Sequence, residues 1–269
     1  MRACTLLIDA PKGTAMVLLD VVHEYIGTLL LGEARYRRSR YKRAKRIANR
    51  AGCEVYKPQL IWLEDRDFLR AKSEVERRGI IGVPNDRCYH LLDLARTARH
   101  LEGEVAECGV RQGKSTIFIL TGLGPSNGKT YHIFDSFEGV SEPGESDRDS
   151  RGAIAWTKGE LAVREHALRH NLDGFDTPIE MHKGWIPARF TDVRDRTFSF
   201  VHVDVDLYEP TRHSFEFFYP LMARGGFMVC DDYGSAYCPG AKKAVDEFFA
   251  TKPECVLSLP TGQSLVIKE

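Results

Sequence analysis

The densest chemistry in this chain sits where two apolar segments end in carboxylates. Val203-Asp204-Val205-Asp206-Leu207-Tyr208 closes one, and Val229-Cys230-Asp231-Asp232-Tyr233 closes the next. If the segments are adjacent parallel strands, Asp204, Asp231 and Asp232 meet at one rim. Carboxylates brought that close repel one another unless a cation or a proton holds them. An all-oxygen set with no converging His or Cys selects a hard ion, Mg²⁺ or Ca²⁺, over zinc. Asp204 or Asp206 is then placed to serve as a general base. The plainer alternative has Asp204 and Asp206 capping a helix while Asp231 and Asp232 face water. Four acids at two consecutive strand ends exceed what capping requires.

A second constellation is Glu107-Cys108-Gly109-Val110-Arg111-Gln112-Gly113-Lys114-Ser115, in which a strand runs through two glycines into a helix. Glycines let backbone approach a ligand closely, and a helix N-terminus favours an anionic group. Three ligand classes compete for this turn. A dinucleotide fingerprint needs G-x-G-x-x-G, which is absent. A phosphate-binding P-loop needs G-x-x-x-x-G-K-[ST], and Gly109 stands one residue too close to Gly113-Lys114-Ser115. An S-adenosylmethionine (SAM) site uses an acid, one residue and then a glycine turn, as Glu107-x-Gly109 provides. Asp135, closing the next strand, can accept hydrogen bonds from the two ribose hydroxyls of a nucleoside, or simply cap a helix. His166 and His170, four apart, lack a third ligand and read as surface residues; Cys108 and Cys230, inside apolar strands, read as inert thiols.

These residues need a sheet to position them. Strands are expected at Gly103–Cys108, Thr130–Asp135, Pro178–Lys183, Ser199–Val205 and Gly226–Asp231, and helices at Ser115–Leu120, Leu161–His170, Pro210–Ala223 and Ala241–Phe249. The alternation predicts an α/β fold: a mostly parallel sheet with helices on both faces. Cys255–Leu259 and Ser264–Lys268 flank a Pro-Thr-Gly-Gln turn, so a terminal hairpin adds an antiparallel strand at or near the sheet edge. In such folds ligands bind outside the carboxyl ends of the strands. Residues 139–152, rich in Gly, Ser, Pro and Asp, read as a long mobile loop.

Composition bounds the partners. The 269 residues carry 38 Lys/Arg against 38 Asp/Glu, so a whole-protein grip on nucleic acid is not indicated. The balance is uneven along the chain: residues 1–50 hold eleven basic against four acidic residues, and nine of the sixteen residues 35–50 are basic. Before that run, Met16, Leu19, Val22, Tyr25, Ile26, Leu29 and Leu30 repeat at helical spacing. Residues 1–95 thus read as a helical N-terminal region serving as a lid or an oligomerisation element, and 96–269 as the catalytic domain. A homo-oligomer is expected, and residues 35–50 offer peripheral contact with an anionic membrane or other polyanion. No spanning helix or secretory signal is expected. Seven cysteines without a C-x-x-C pair suggest reduced thiols in the cytoplasm.

Taken together, Glu107-Cys-Gly109-Val110…Gly113, Phe134-Asp135-Ser-Phe-Glu138-Gly139, Lys183-Gly184-Trp185, Asp204-x-Asp206-Leu207-Tyr208-Glu-x-Thr211, Tyr219-Pro220…Gly225-Gly226, Asp231-Asp232-Tyr233 and Ala241-x-x-Ala-Val245-Asp246 resemble the macrocin O-methyltransferase (TylF/MycF-like) family over residues 100–250. The resemblance implies a class I, Rossmann-like methyltransferase fold, SAM as methyl donor, a divalent metal, and methylation of a sugar hydroxyl on a natural product or glycan. It further implies that Glu107, Gly109, Val110, Gly113 and Ser115 hold the methionine half of SAM, that Asp135 holds the ribose, and that Asp204, Asp231 and Asp232 bind Mg²⁺. The chemistry is coherent, because an alcohol is barely ionised at neutral pH and a divalent cation stabilises its alkoxide. Two rival readings are a P-loop-like nucleotide hydrolase centred on Lys114 and a non-catalytic module binding a polyanion through residues 35–50.

Overall fold

Seven strands form one sheet in the computed structural model, which describes residues 33–52, 62, 64–125 and 128–269. In chain order they are β1 (Glu104–Cys108), β2 (Tyr131–Asp135), β3 (Ile179–Lys183), β4 (Phe198–Val203), β5 (Met222–Cys230), β6 (Leu257–Ser258) and β7 (Ser264–Ile267). Their spatial order is β3-β2-β1-β4-β5-β7-β6. The first five are parallel; β7 runs antiparallel to β5, and β6 pairs antiparallel with β7 at the edge, as the terminal hairpin requires. The order reverses between β1 and β4, which puts the glycine turn and Asp204 side by side at the switch point where such sheets bind ligands.

The helices are α1 (Glu33–Arg50), α2 (Arg66–Arg77), α3 (Asn85–Ala98), α4 (Lys114–Leu123), α5 (Glu165–Asn171), α6 (Tyr208–Phe218) and α7 (Pro239–Phe249). Strand alternation divides the core between the two faces of the sheet. Val105, Tyr131, Ile133, Phe200 and Val229 pack with Phe68, Leu91, Leu92 and Phe118 from α2, α3 and α4. Ala106, Phe134, Val201, Val203 and Met228 face Phe215, Phe218, Ala241 and Val245 from α6 and α7. Helix α4 is buried along nearly its whole length, because α3 covers it. At Gly122 a Cβ would come within 2.3 Å of the Leu92 carbonyl oxygen, so only glycine allows that approach.

The chain divides into compact units at Leu60/Ile61, so the expected boundary at 95/96 falls inside the second unit. Phe68, Ala71 and Val75 of α2 and Cys88, Leu91, Leu92 and Ala95 of α3 belong to the core of the sheet domain. In the first unit α1 carries the basic run, and Lys42, Arg43, Lys45, Arg46 and Arg50 are exposed. The amphipathic repeat from Met16 to Leu30 lies outside the described residues. Among the described residues no helix is long and apolar enough to cross a membrane.

Three elements differ from the sequence-based expectation. The helix expected at Leu161–His170 begins only at Glu165, because Leu161 has a positive φ. The helix expected to run to Ala223 ends at Phe218, and β5 already begins at Met222. The loop over 139–152 is anchored, not free. Its Asp147 is buried and accepts hydrogen bonds from the Tyr208 backbone N–H at 2.7 Å and from Gly144 N–H at 2.8 Å. The loop thereby satisfies an orphan donor at the N-terminus of α6.

Candidate active site

The β1–α4 turn is shaped by contact with β4. Gly109 has φ +79°, and a Cβ there would lie 1.9 Å from the Asp204 carbonyl oxygen. Asp204 N–H in turn donates to the Cys108 carbonyl at 2.8 Å. Any side chain at 109 would push the turn away from the acidic rim. Asp135 closes the other side: its Oδ2 accepts from Val110 N–H at 2.9 Å and Arg111 N–H at 3.4 Å, and its Oδ1 from Phe137 N–H at 2.7 Å. The backbone donors that a P-loop would offer to phosphate are thus aimed at a carboxylate.

Glu107, expected to hold the methionine half of SAM, sits behind the turn. It is fully buried, and it is not among the residues lining the cavity described below. Its Oε2 accepts from Thr116 Oγ1 at 2.6 Å and Tyr131 OH at 2.7 Å, and its Oε1 lies 2.9 Å from His202 Nδ1. The other ring nitrogen of His202 lies 3.4 Å from Asp231 Oδ1. Burial alone would lower the pKa of this imidazole, but hydrogen bonding and charge from Asp231 and Glu107 raise it to about 10. Glu107 therefore supports the site through an imidazolium, from behind the cavity wall.

At the ends of β4 and β5 the expected carboxylates do converge. One ligand atom each from Asp204, Asp231 and Asp232 can be chosen so that all lie within 4.8 Å of one another. Asp231 is well supplied with partners. Arg87 Nη1 of α3 lies 2.6 Å from its Oδ2, and Gln263 Nε2 donates to its Oδ1 at 2.8 Å. Burial pushes the Asp231 carboxyl up, but the His202 and Arg87 interactions outweigh that and hold it below the ordinary range. Its neighbours fare otherwise. Burial, then repulsion from Asp231 and Asp232, drives the Asp204 carboxyl well above its ordinary value. Burial and the charges of Asp206 and Asp231 push Asp232 up to about 8. Asp206, held at φ +60° with its N–H donating to Asp232 Oδ2 at 3.2 Å, is raised by burial to about 6.

With Asp231 compensated, Asp204 and Asp232 have few donors, and ionising both requires a positive charge between them. That is the electrostatic complement of one divalent cation. Oxygen ligands around such an ion at bonds of roughly 2.1–2.5 Å lie about 3–4 Å apart, within reach of the spacing present. The donor set therefore fits Mg²⁺ or Ca²⁺.

Rim and turn open onto one cavity of about 310 Å³. Gly109, Val110, Ser115, Asp135, Asp204, Asp206, Asp231 and Asp232 all line it; of the residues singled out from sequence, Glu107 does not, and Gly113 acts one step back as the N-cap of α4. Sequence reasoning missed Arg87, His202 and Gln263, and gave no role to Trp156, although it and Trp185 contribute broad apolar walls. One signal was available for His202: a polar residue inside an apolar strand, in register with Glu107.

Known proteins resemble this chain in sequence and in fold. The family model described as macrocin-O-methyltransferase (TylF) matches residues 78–253. Among curated proteins, a demethyldecarbamoylnovobiocin O-methyltransferase from Streptomyces niveus is 30% identical over 159 residues, covering 56% of this chain and 60% of the relative. An 8-demethyl-8-(2,3-dimethoxy-alpha-L-rhamnosyl)-tetracenomycin-C 4'-O-methyltransferase from Streptomyces olivaceus is 30% identical over 149 residues, covering 52% of this chain and 56% of the relative. The chain thus spans somewhat over half the length of these relatives. Among solved structures, the O-methyltransferase NovP superposes with a TM-score of 0.56 at 26% identity, covering 68% of this chain and 79% of that one. The calicheamicin methyltransferase CalS11 shares the fold with a TM-score of 0.59 at 16% identity, covering 79% of this chain and 94% of that one.

Proposed function

The chain belongs to the macrocin-O-methyltransferase family, and on that premise we propose that it is a SAM-dependent, Mg²⁺-dependent O-methyltransferase acting on a sugar hydroxyl of a natural product or glycan. The observation that carries the metal requirement is the convergence of Asp204, Asp231 and Asp232 in the cavity that also holds the glycine turn. When bound, the cation lowers the pKa of an acceptor hydroxyl and SAM offers an electrophilic methyl group. Gly109, Val110 and Ser115 form the wall for the methionine half of SAM, and Gly113 lets the turn enter α4. Asp135, with lone pairs to spare after its backbone donors, accepts from the ribose hydroxyls.

Asp204 and Asp232 hold the cation, and Asp231, fixed by Arg87, His202 and Gln263, completes the set. Asp206, which lines the same cavity beside the rim and whose carboxyl burial pushes up, is the base that receives the hydroxyl proton. Trp156 and Trp185 exclude water and offer flat apolar surfaces to the sugar ring. Much of the rate gain then comes from positioning. The acceptor class rests on the relatives, one of which is named for a rhamnosyl 4'-O-methylation. The exposed basic face of α1 supports contact with a polyanion.

The test is formation of S-adenosylhomocysteine from SAM with a panel of deoxysugar glycosides. Turnover that stops on chelation and returns with Mg²⁺ is expected. Turnover indifferent to chelation overturns the metal requirement, and binding of Mg·ATP without any binding of SAM overturns the methyltransferase reading.

A further inference from the structure

Strands β2 and β3 carry a second group of metal-ligating side chains, none of which lines the cavity at the acidic rim. His132 pairs in register with Glu180, and Phe134 with His182. Alternation therefore puts His132, Glu180 and His182 on one face of the sheet. The two histidines are buried, while the Glu180 side chain is 54% exposed and open to solvent. His132 Nδ1 lies 3.1 Å from His182 Nε2 and 3.5 Å from Glu180 Oε2, and His182 Nε2 lies 4.0 Å from that same oxygen.

The outward-facing nitrogens decide what the inner ones must be. His132 Nε2 lies 2.7 Å from Glu104 Oε2, and His182 Nδ1 lies 3.1 Å from Asp192 Oδ2. Arg196 pairs with Glu104 and Arg189 with Asp192, so each outer carboxylate is held by a guanidinium. Carboxylate oxygens accept hydrogen bonds, so each outer nitrogen donates and carries its ring's proton. His132 Nδ1 and His182 Nε2 then point bare lone pairs at each other and at a third acceptor, the Glu180 carboxylate. Such a cluster calls for a positive charge at its centre.

We propose that His132, His182 and Glu180 form a site for one divalent transition metal of the zinc type, with water in the fourth position on the Glu180 side. Tetrahedral ligands at bonds of about 2.0–2.1 Å lie roughly 3.4 Å apart, close to the spacing here. Two imidazoles select zinc over magnesium. Glu104 and Asp192 are the outer carboxylates that orient metal-bound histidines. The ion clamps the edge strand β3 to β2, on strands separated from the acidic rim of β4 and β5 by β1.

The experiment uses chelator-stripped full-length protein titrated with Co²⁺ as a spectroscopic probe. One equivalent should produce the intense visible bands of four-coordinate cobalt, and Zn²⁺ should bleach them. Glu180→Gln and Asp192→Asn should each weaken Co²⁺ binding at least about tenfold, His182→Asn should abolish the bands, and Asp204→Asn should leave them intact. Because Glu180 is half exposed, its variant tests the site even if His182→Asn fails to fold. Absence of the bands in the wild type, bands indifferent to Glu180→Gln, or bands lost in Asp204→Asn would each overturn the proposal.

Discussion

Glu107 and Asp232 are both buried acids at the ends of strands in one sheet, yet their surroundings are opposite. Glu107 accepts from Thr116 and Tyr131 and faces a histidine that carries charge. Asp232 has a single backbone donor at 3.2 Å, a guanidinium 3.9 Å away, and carboxylates on its other sides. Where lone pairs are filled from within the protein, an acid is part of the frame. Where they are left unfilled and crowded by like charge, the missing partner must come from outside. Glu107 is therefore part of the frame behind the cavity, whereas Asp232 stands where the proposed cation would bind.

The sharpest way to break this contrast is to remove charge from each side. Asp204→Asn should lower methyl transfer by about 10²–10⁴-fold, the range for losing a group that stabilises charge or moves a proton, while SAM affinity changes little; calorimetry and initial rates measure both. Glu107→Gln should act on folding instead. It leaves the buried His202 charge half compensated, at a cost of roughly 3–5 kcal/mol in urea unfolding.

Acidity sharpens the contrast further. Asp206 at about 6 and Asp232 at about 8 bind protons more tightly folded than unfolded, where carboxyls sit near 4. Their contribution to stability is therefore full below about pH 4 and is lost as pH rises through about 6 and then 8. Thermal melts of metal-free protein should show this decline, and saturating Mg²⁺ should flatten it. The smallest effect is the most specific. Asp232→Asn should stabilise the metal-free protein by ~1 kcal/mol, since one pKa unit of relieved repulsion is worth about 1.4 kcal/mol, and should lose the response to Mg²⁺.

The parts of this site that depend on neighbouring strands were legible in the sequence. Asp204 and Asp231–Asp232 end consecutive parallel strands, so their meeting follows from β4 pairing with β5. Gly109 was legible because a turn pressed against the next strand end tolerates no Cβ. The parts that depend on packing between distant segments were not. Arg87 reaches Asp231 across 144 residues, and Gln263 arrives only because β7 folds back beside β5. Charge hid the unit boundary: the basic run drew residues 1–95 into one region, although Phe68, Ala71 and Val75 already repeat at helical spacing and join the sheet core. Loop composition likewise misled at 139–152, where one buried Asp147 ties a polar segment to α6.

In the function proposed here, the acidic rim of β4 and β5 holds one divalent cation. The most direct test is an electron paramagnetic resonance titration of Mn²⁺, a probe for Mg²⁺, into chelator-stripped wild-type and Asp232→Asn proteins. One equivalent should bind to the wild type and be displaced by excess Mg²⁺, with affinity at least tenfold weaker in the variant. Equal binding by both proteins, or no bound Mn²⁺ in either, would contradict it.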